Sequence, residues 1–118
     1  MSFLLFTGCA MQEPIYNAQS KVPAGLTVKQ VEKAILDAQQ SNRGWVLKKR
    51  SDNLIEGKLL NRGFLVTVRI PYSATDYRIE YVSSQGLDVE NGKIHRNYNR
   101  WINNLDHDIQ FKLLQAEE

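Results

Sequence analysis

A single cysteine, Cys9, in a chain of 118 residues excludes any internal disulfide framework and any zinc site built from cysteines. Histidine is nearly as scarce, with only His95 and His107, which lie twelve positions apart. If both sit on one helix they stand about 18 Å apart along its axis, too far to share a metal. Charge of one sign is not in excess: fifteen Lys and Arg against thirteen Asp and Glu leave a formal +2, well short of a dedicated nucleic-acid binder. No run is long enough to span a bilayer, which takes about 20 apolar residues. Gly57, Gly63 and Gly86 are isolated, so there is no glycine-rich phosphate loop, and no G-x-S-x-G nucleophile motif, repeat or low-complexity tract is present. What remains is 42% hydrophobic and 24% charged, the balance of a folded domain. The length supports one such domain, because a second would leave each half near the lower limit for a self-sufficient core.

The N-terminal run Phe3-Leu4-Leu5-Phe6-Thr7-Gly8-Cys9-Ala10 reads as the closing part of a secretory signal, apolar residues giving way to small ones. Gln12 to Gly25 carries Pro14, Pro23 and Gly25 among polar residues with no sustained period, and reads as a tether. The expected organisation is therefore a leader remnant over residues 1–9, a flexible tether over 10–26 and one domain over 27–118.

Within that domain Thr27-Val28-Lys29-Gln30 matches a capping box and starts a helix, with Val28, Val31, Ile35 and Ala38 as its apolar stripe and Asn42 to Gly44 as its stop. At Trp45 the period changes from 3.6 to 2. Trp45–Arg50, Leu54–Leu60, Phe64–Ile70 and Tyr77–Tyr81 read as four strands, separated by turns at Ser51-Asp52-Asn53, Asn61-Arg62-Gly63 and Ser73 to Asp76. Short turns require antiparallel neighbours. After an Asn91-Gly92 turn, Ile94, Tyr98, Trp101, Ile102, Leu105, Ile109 and Leu113 mark one face of a long helix, with Arg96, Asn103, Asp106 and Gln110 on the opposite, wet side. The fold expected is α+β, a two-layer sandwich of a four-stranded antiparallel meander with both helices on one face, in the order αββββα.

Residues with chemical potential are few. Asp106-His107-Asp108 offers a local metal or ion-pair motif, but successive helical residues point about 100° apart, so a solvated polar face is the reading preferred. His95 borders the stripe of Tyr98 and Ile102 and reads as a structural histidine that caps the helix or bonds a strand carbonyl, since no nucleophile or orienting acid stands at recognisable spacing. Lys48-Lys49-Arg50, with Lys58, Arg62, Arg69 and Arg78, gives the sheet a basic outer face that Glu56 and Glu80 interrupt; it reads as solvated. Trp45, Trp101, Tyr77, Tyr81 and Tyr98 suit core packing better than a ligand groove.

Thr7-Gly8-Cys9 resembles the end of a bacterial lipobox, and Ile94-His95-x-x-Tyr98-Asn99-x-Trp101-Ile102-x-Asn104-Leu105, within the segment from Trp45 to Leu105, is similar to a family of small uncharacterised proteobacterial lipoproteins. The resemblance implies a palmitate-bearing diacylglycerol anchor on Cys9, an outer-membrane address facing the periplasm, and a small α+β domain. It supplies no catalytic residues. The functional expectation is a non-enzymatic envelope lipoprotein with no metal, no cofactor and no nucleic-acid partner. It would be held to the membrane by its lipid and bind a protein partner or envelope component through a sheet edge or through Arg96, Asn99, Arg100 and Asn103. The alternative is a small-molecule or lipid carrier with a cavity between helices and sheet.

Overall fold

A computed structural model describes residues 11–117. The expected leader remnant and the lipid attachment at Cys9 lie outside the described residues. The chain runs β1 (Gln12–Pro14), β2 (Ala18–Lys21), α1 (Val28–Asp37), β3 (Trp45–Ser51), β4 (Leu54–Asn61), β5 (Phe64–Pro71), β6 (Asp76–Gln85), β7 (Lys93–His95) and α2 (Arg96–Ala116), with a 3₁₀ turn Ala38–Ser41 after α1.

The class is α+β, but the sheet is not a four-stranded meander and the order is not αββββα. The main sheet has five antiparallel strands in the order β2-β6-β5-β4-β3, and β1 pairs with β7 in a separate two-stranded sheet. Both additional strands near the N-terminus come from the segment expected to be a tether. Ala18 pairs with Ile79 and Lys21 with Asp76, and Ala18, Val22 and Leu26 are buried in the core. The domain therefore begins upstream of residue 27.

The local signals that defined the other elements act as chemistry requires. Thr27 Oγ1 accepts from the Gln30 amide at 3.1 Å, and Gln30 Oε1 accepts from the Thr27 amide at 2.8 Å, closing the capping box. Arg62 and Gly63 form the two-residue β4–β5 turn with φ of 52° and 85°, the left-handed pair that matches the twist of a hairpin. Asn91 and Gly92 do the same between Glu90 and Lys93.

Inward residues of the sheet, including Trp45, Leu47, Ile55, Leu59, Val66, Val68, Ile70, Tyr77 and Ile79, form one core with the helices. Gly57 belongs to this face, and a Cβ there would stand 2.8 Å from Leu47 and 3.0 Å from Val68, so the sheet needs a glycine to bring those side chains together. α1 packs beside β3, α2 beside β2, and the helices against each other. From α2 the residues Tyr98, Ile102, Leu105, Ile109 and Leu113 are fully buried, each contributing about 1.5–3 kcal/mol of burial. Val28, expected in the apolar stripe of α1, is exposed, and Ile94, expected in the last helix, sits in β7. Among the described residues no helix is long and apolar enough to cross a membrane.

Candidate functional site

Asp106 and Gln110, one turn apart on α2 and expected on its wet side opposite the apolar stripe, are half-buried and turned to the sheet. Asp106 accepts hydrogen bonds from the Tyr77 hydroxyl and from Ser20 Oγ, the latter 3.0 Å from both carboxylate oxygens. Gln110 Nε2 donates to the Tyr77 oxygen at 2.8 Å and to the Lys21 carbonyl at 3.2 Å. Burial, and after it the Asp106 hydrogen bond and charge, push the Tyr77 hydroxyl far above its ordinary pKa. The cluster ties α2 to β2 and β6 and orients its hydroxyls without activating them.

The next two residues diverge from it. Asp108 pairs with Arg43 Nε at 2.7 Å, and His107 is exposed. The three side chains of the Asp106-His107-Asp108 motif thus serve separate places and do not converge. His95 is the N-cap of α2, its Nδ1 accepting from the Asn97 amide at 3.1 Å.

The outer face of the sheet carries its charges in register. Lys48 pairs with Glu56, Glu56 with Arg69, and Arg69 with Glu80, so a row across four strands alternates in sign. A bulge at Arg50 brings Arg50 Nη2 to 2.7 Å from Glu56, and Arg78 Nη1 approaches Glu80 at 3.4 Å. Glu56 is held below the usual carboxylate range, chiefly by the Arg50 hydrogen bond. Such a face is internally compensated and offers no continuous basic surface to a polyanion.

Two features bear on partner binding. The β3 edge is partly closed, because the Leu47 amide donates to Gln39 Oε1 at 3.0 Å and Lys48, Lys49 and Arg50 crowd the same strand. β2 covers β6 only from Asp76 to Ile79, beyond which Asn17 Oδ1 accepts from the Tyr81 amide at 3.0 Å.

The four residues expected to form an interaction surface on α2 have different roles. Asn99 is turned inward to the chain's own N-terminal segment: Nδ2 donates to Glu13 Oε1 and the Pro14 carbonyl, each at 3.0 Å, and Oδ1 accepts from the Tyr16 amide at 3.0 Å. The Arg96 amide donates to the Met11 carbonyl at 2.9 Å. Arg100 and Asn103 are exposed, and Asn103 lines a shallow groove of about 620 Å³ with Glu13, Pro14, Ile15, Tyr16 and Asn99. Between α2 and the β3–β4 hairpin lies a smaller cleft of about 200 Å³, walled by Arg43, Trp45, Leu59, Trp101 and Asn104.

Sequence reasoning missed Asp106 and Ser20, and the clamp at Asn99. A signal existed for the first: Asp106 and Gln110 follow Ile102 and border the stripe at helical spacing, where half-buried polar residues sit. Tyr98 is fully buried, edge-on to Tyr81 with ring centroids 5.5 Å apart, and its hydroxyl has no hydrogen-bond partner among the described residues. No protein-family model matches the chain and no curated protein sequence matches it.

Proposed function

We propose that this chain is a periplasm-facing outer-membrane lipoprotein, anchored through Cys9, whose domain binds a protein partner or another envelope component and carries out no catalysis. The lipobox-like Thr7-Gly8-Cys9 supports the anchor. The observation that carries partner binding is the groove between the N-terminal segment and α2, where Tyr16 is 40% exposed beside Asn103 and the helix continues the surface with Arg100. A half-exposed tyrosine flanked by arginine and asparagine supplies apolar area with adaptable polar rims, the composition of a protein-binding patch. The candidate surface of Arg96, Asn99, Arg100 and Asn103 is extended by Tyr16, with Arg96, Arg100 and Asn103 exposed and Asn99 beneath as the residue that positions Tyr16.

A photocrosslinking amino acid placed at position 103 in living cells tests this directly. The expected result is a discrete adduct that is absent when the same label stands at Asp52, in the β3–β4 turn, and that disappears in a Cys9→Ala background. Identical products from positions 103 and 52, or none from either, contradict the reading.

A further inference from the structure

The β1–β7 end of the domain is fixed to within two residues of Cys9. The Met11 carbonyl accepts from the Arg96 amide at 2.9 Å, Gln12 pairs with His95, Gln12 Nε2 donates to the Asp88 carbonyl at 2.9 Å, and the Ile15 amide donates to the Gly92 carbonyl at 3.0 Å. Two residues of fully extended chain cover at most about 7 Å. An acylated Cys9 would have its backbone at headgroup level, so its anchor and this end of the fold would be joined without a spacer.

The surface at that end is apolar where contact would fall. Met11 is 47% exposed and Val89 42%, and both line a shallow depression with Gln12, Leu87, Glu90 and His95. The sheet register places Leu60, 71% exposed, at the same end, since Leu60 pairs with Leu65 and Leu65 with Gln85, immediately before the Gly86–Glu90 loop. Charges here are of both signs, with Asp88 and Glu90 close to Lys93 and Arg96. A mixed set favours an interface entered by apolar side chains over one held by attraction to anionic lipid.

We infer that the Met11–Val89 face is a membrane-seating surface, its occupant the headgroup and upper acyl region of the bilayer that holds the anchor. The inference rests on the reading of Cys9 as a lipid anchor. It fixes an orientation: α2 starts at the membrane and runs away from it. Leu114 is eighteen residues beyond Arg96, about 27 Å along the helix. The apolar pair Phe111 and Leu114, each 56% exposed, then stands clear of the lipid, and the groove at Tyr16 and Asn103 lies between the two ends.

The test uses the full chain, purified with its lipid and reconstituted in vesicles of phosphatidylethanolamine and phosphatidylglycerol, with the mass of the Cys9 peptide verified on the same sample. Environment-sensitive fluorophores are attached at Val89→Cys and at Leu114→Cys, with Met11→Cys as a second label should the first variant fold poorly. The expected result is quenching by brominated acyl chains and a blue shift at positions 89 and 11, no quenching at 114, and little change on adding salt. Ten Gly-Ser residues inserted between Ala10 and Met11 are expected to abolish quenching at 89 while lipidation persists. Acylated protein with 89 and 11 unquenched, or with 114 quenched as strongly, overturns the seating surface and leaves the anchor standing. A Cys9 peptide without lipid overturns the anchor and the seating surface together.

Discussion

The β3–β6 meander and the segment from Met11 to Leu26 belong to one core but are held in different ways. In the meander, strands of seven to ten residues each pair with a neighbour adjacent in sequence, and the alternation of inward and outward residues is shifted only at Lys49–Ser51 and at Thr67–Val68. β1 and β2 are three and four residues long, and their partners lie more than fifty positions away. Ladders so short cannot hold a chain end by themselves, and side chains from α2 complete the attachment: Asn99 at β1, Asp106 and Gln110 at β2. The lesson is that a segment with no period of its own can be structural when a distant element supplies its polar partners.

This contrast predicts a ranking of effects. Largest is the loss of a shared core side chain: Ile79→Ala, in β6 and fully buried, is expected to lower global stability by about 2–5 kcal/mol, read from the urea midpoint. Next comes Asp106→Ala, which leaves the hydroxyls of Tyr77 and Ser20 without their acceptor; urea unfolding should show a loss of about 1–3 kcal/mol, with Asp106→Asn recovering part of it. A loss below a few tenths would mean that the cluster does not join α2 to the sheet.

Asn99→Ala separates the two regions. Hydrogen exchange should accelerate at the amides of Ile15 and Tyr16 while the β5 amides of Val66 to Ile70 keep their protection, because only the clamp is lost. Equal acceleration in both would show that the N-terminal segment and the meander open as one unit. The two buried tyrosines should respond with opposite sign. Tyr77→Phe is expected to cost about 1 kcal/mol through its lost bonds, whereas Tyr98→Phe removes an unpartnered buried hydroxyl and should be neutral or stabilising in the same assay.

The smallest effect is on pH dependence. Glu32 lies below its ordinary value of 4.5, held there first by Lys49, whose Nζ is 3.0 Å away, and then by the Tyr72 hydroxyl. A lowered folded-state pKa contributes stability in full above the ordinary value, and the contribution is lost as pH falls through the lowered one. Tyr72 is raised to about 12 by burial and then by Glu32, so its contribution is whole below 10 and fades as pH rises toward 12. Lys49 and Glu32 are both partly exposed and solvent screens the pair, so Glu32→Gln should flatten the acid limb of a thermal-melt pH profile only slightly.

Much of the architecture was legible because its causes are local. Thr27 and Gln30 cap the first helix by contacts three residues apart, Arg62-Gly63 and Asn91-Gly92 turn hairpins by their own dihedrals, and Ile102, Leu105 and Ile109 mark a face by spacing alone. What was not legible depends on residues that meet only in three dimensions. Nothing local to Ala18–Lys21 shows that the edge of β6 opposite β5 receives a further strand over Asp76–Ile79, and no spacing rule links Ser20 to Asp106 or Tyr16 to Asn99. The candidate surface on α2 was half legible for the same reason: exposure of Arg100 and Asn103 follows from the helix pattern, whereas the use of Asn99 depends on where the N-terminal segment lies.

The proposed tie of the fold to a membrane at Cys9 is tested by the mass of the N-terminal peptide. The protein is expressed from its own locus with the upstream DNA in a Gram-negative host and recovered from the envelope. The expected peptide begins at Cys9 and carries a thioether-linked diacylglycerol. An unmodified Cys9 with residues 1–8 still attached would contradict it.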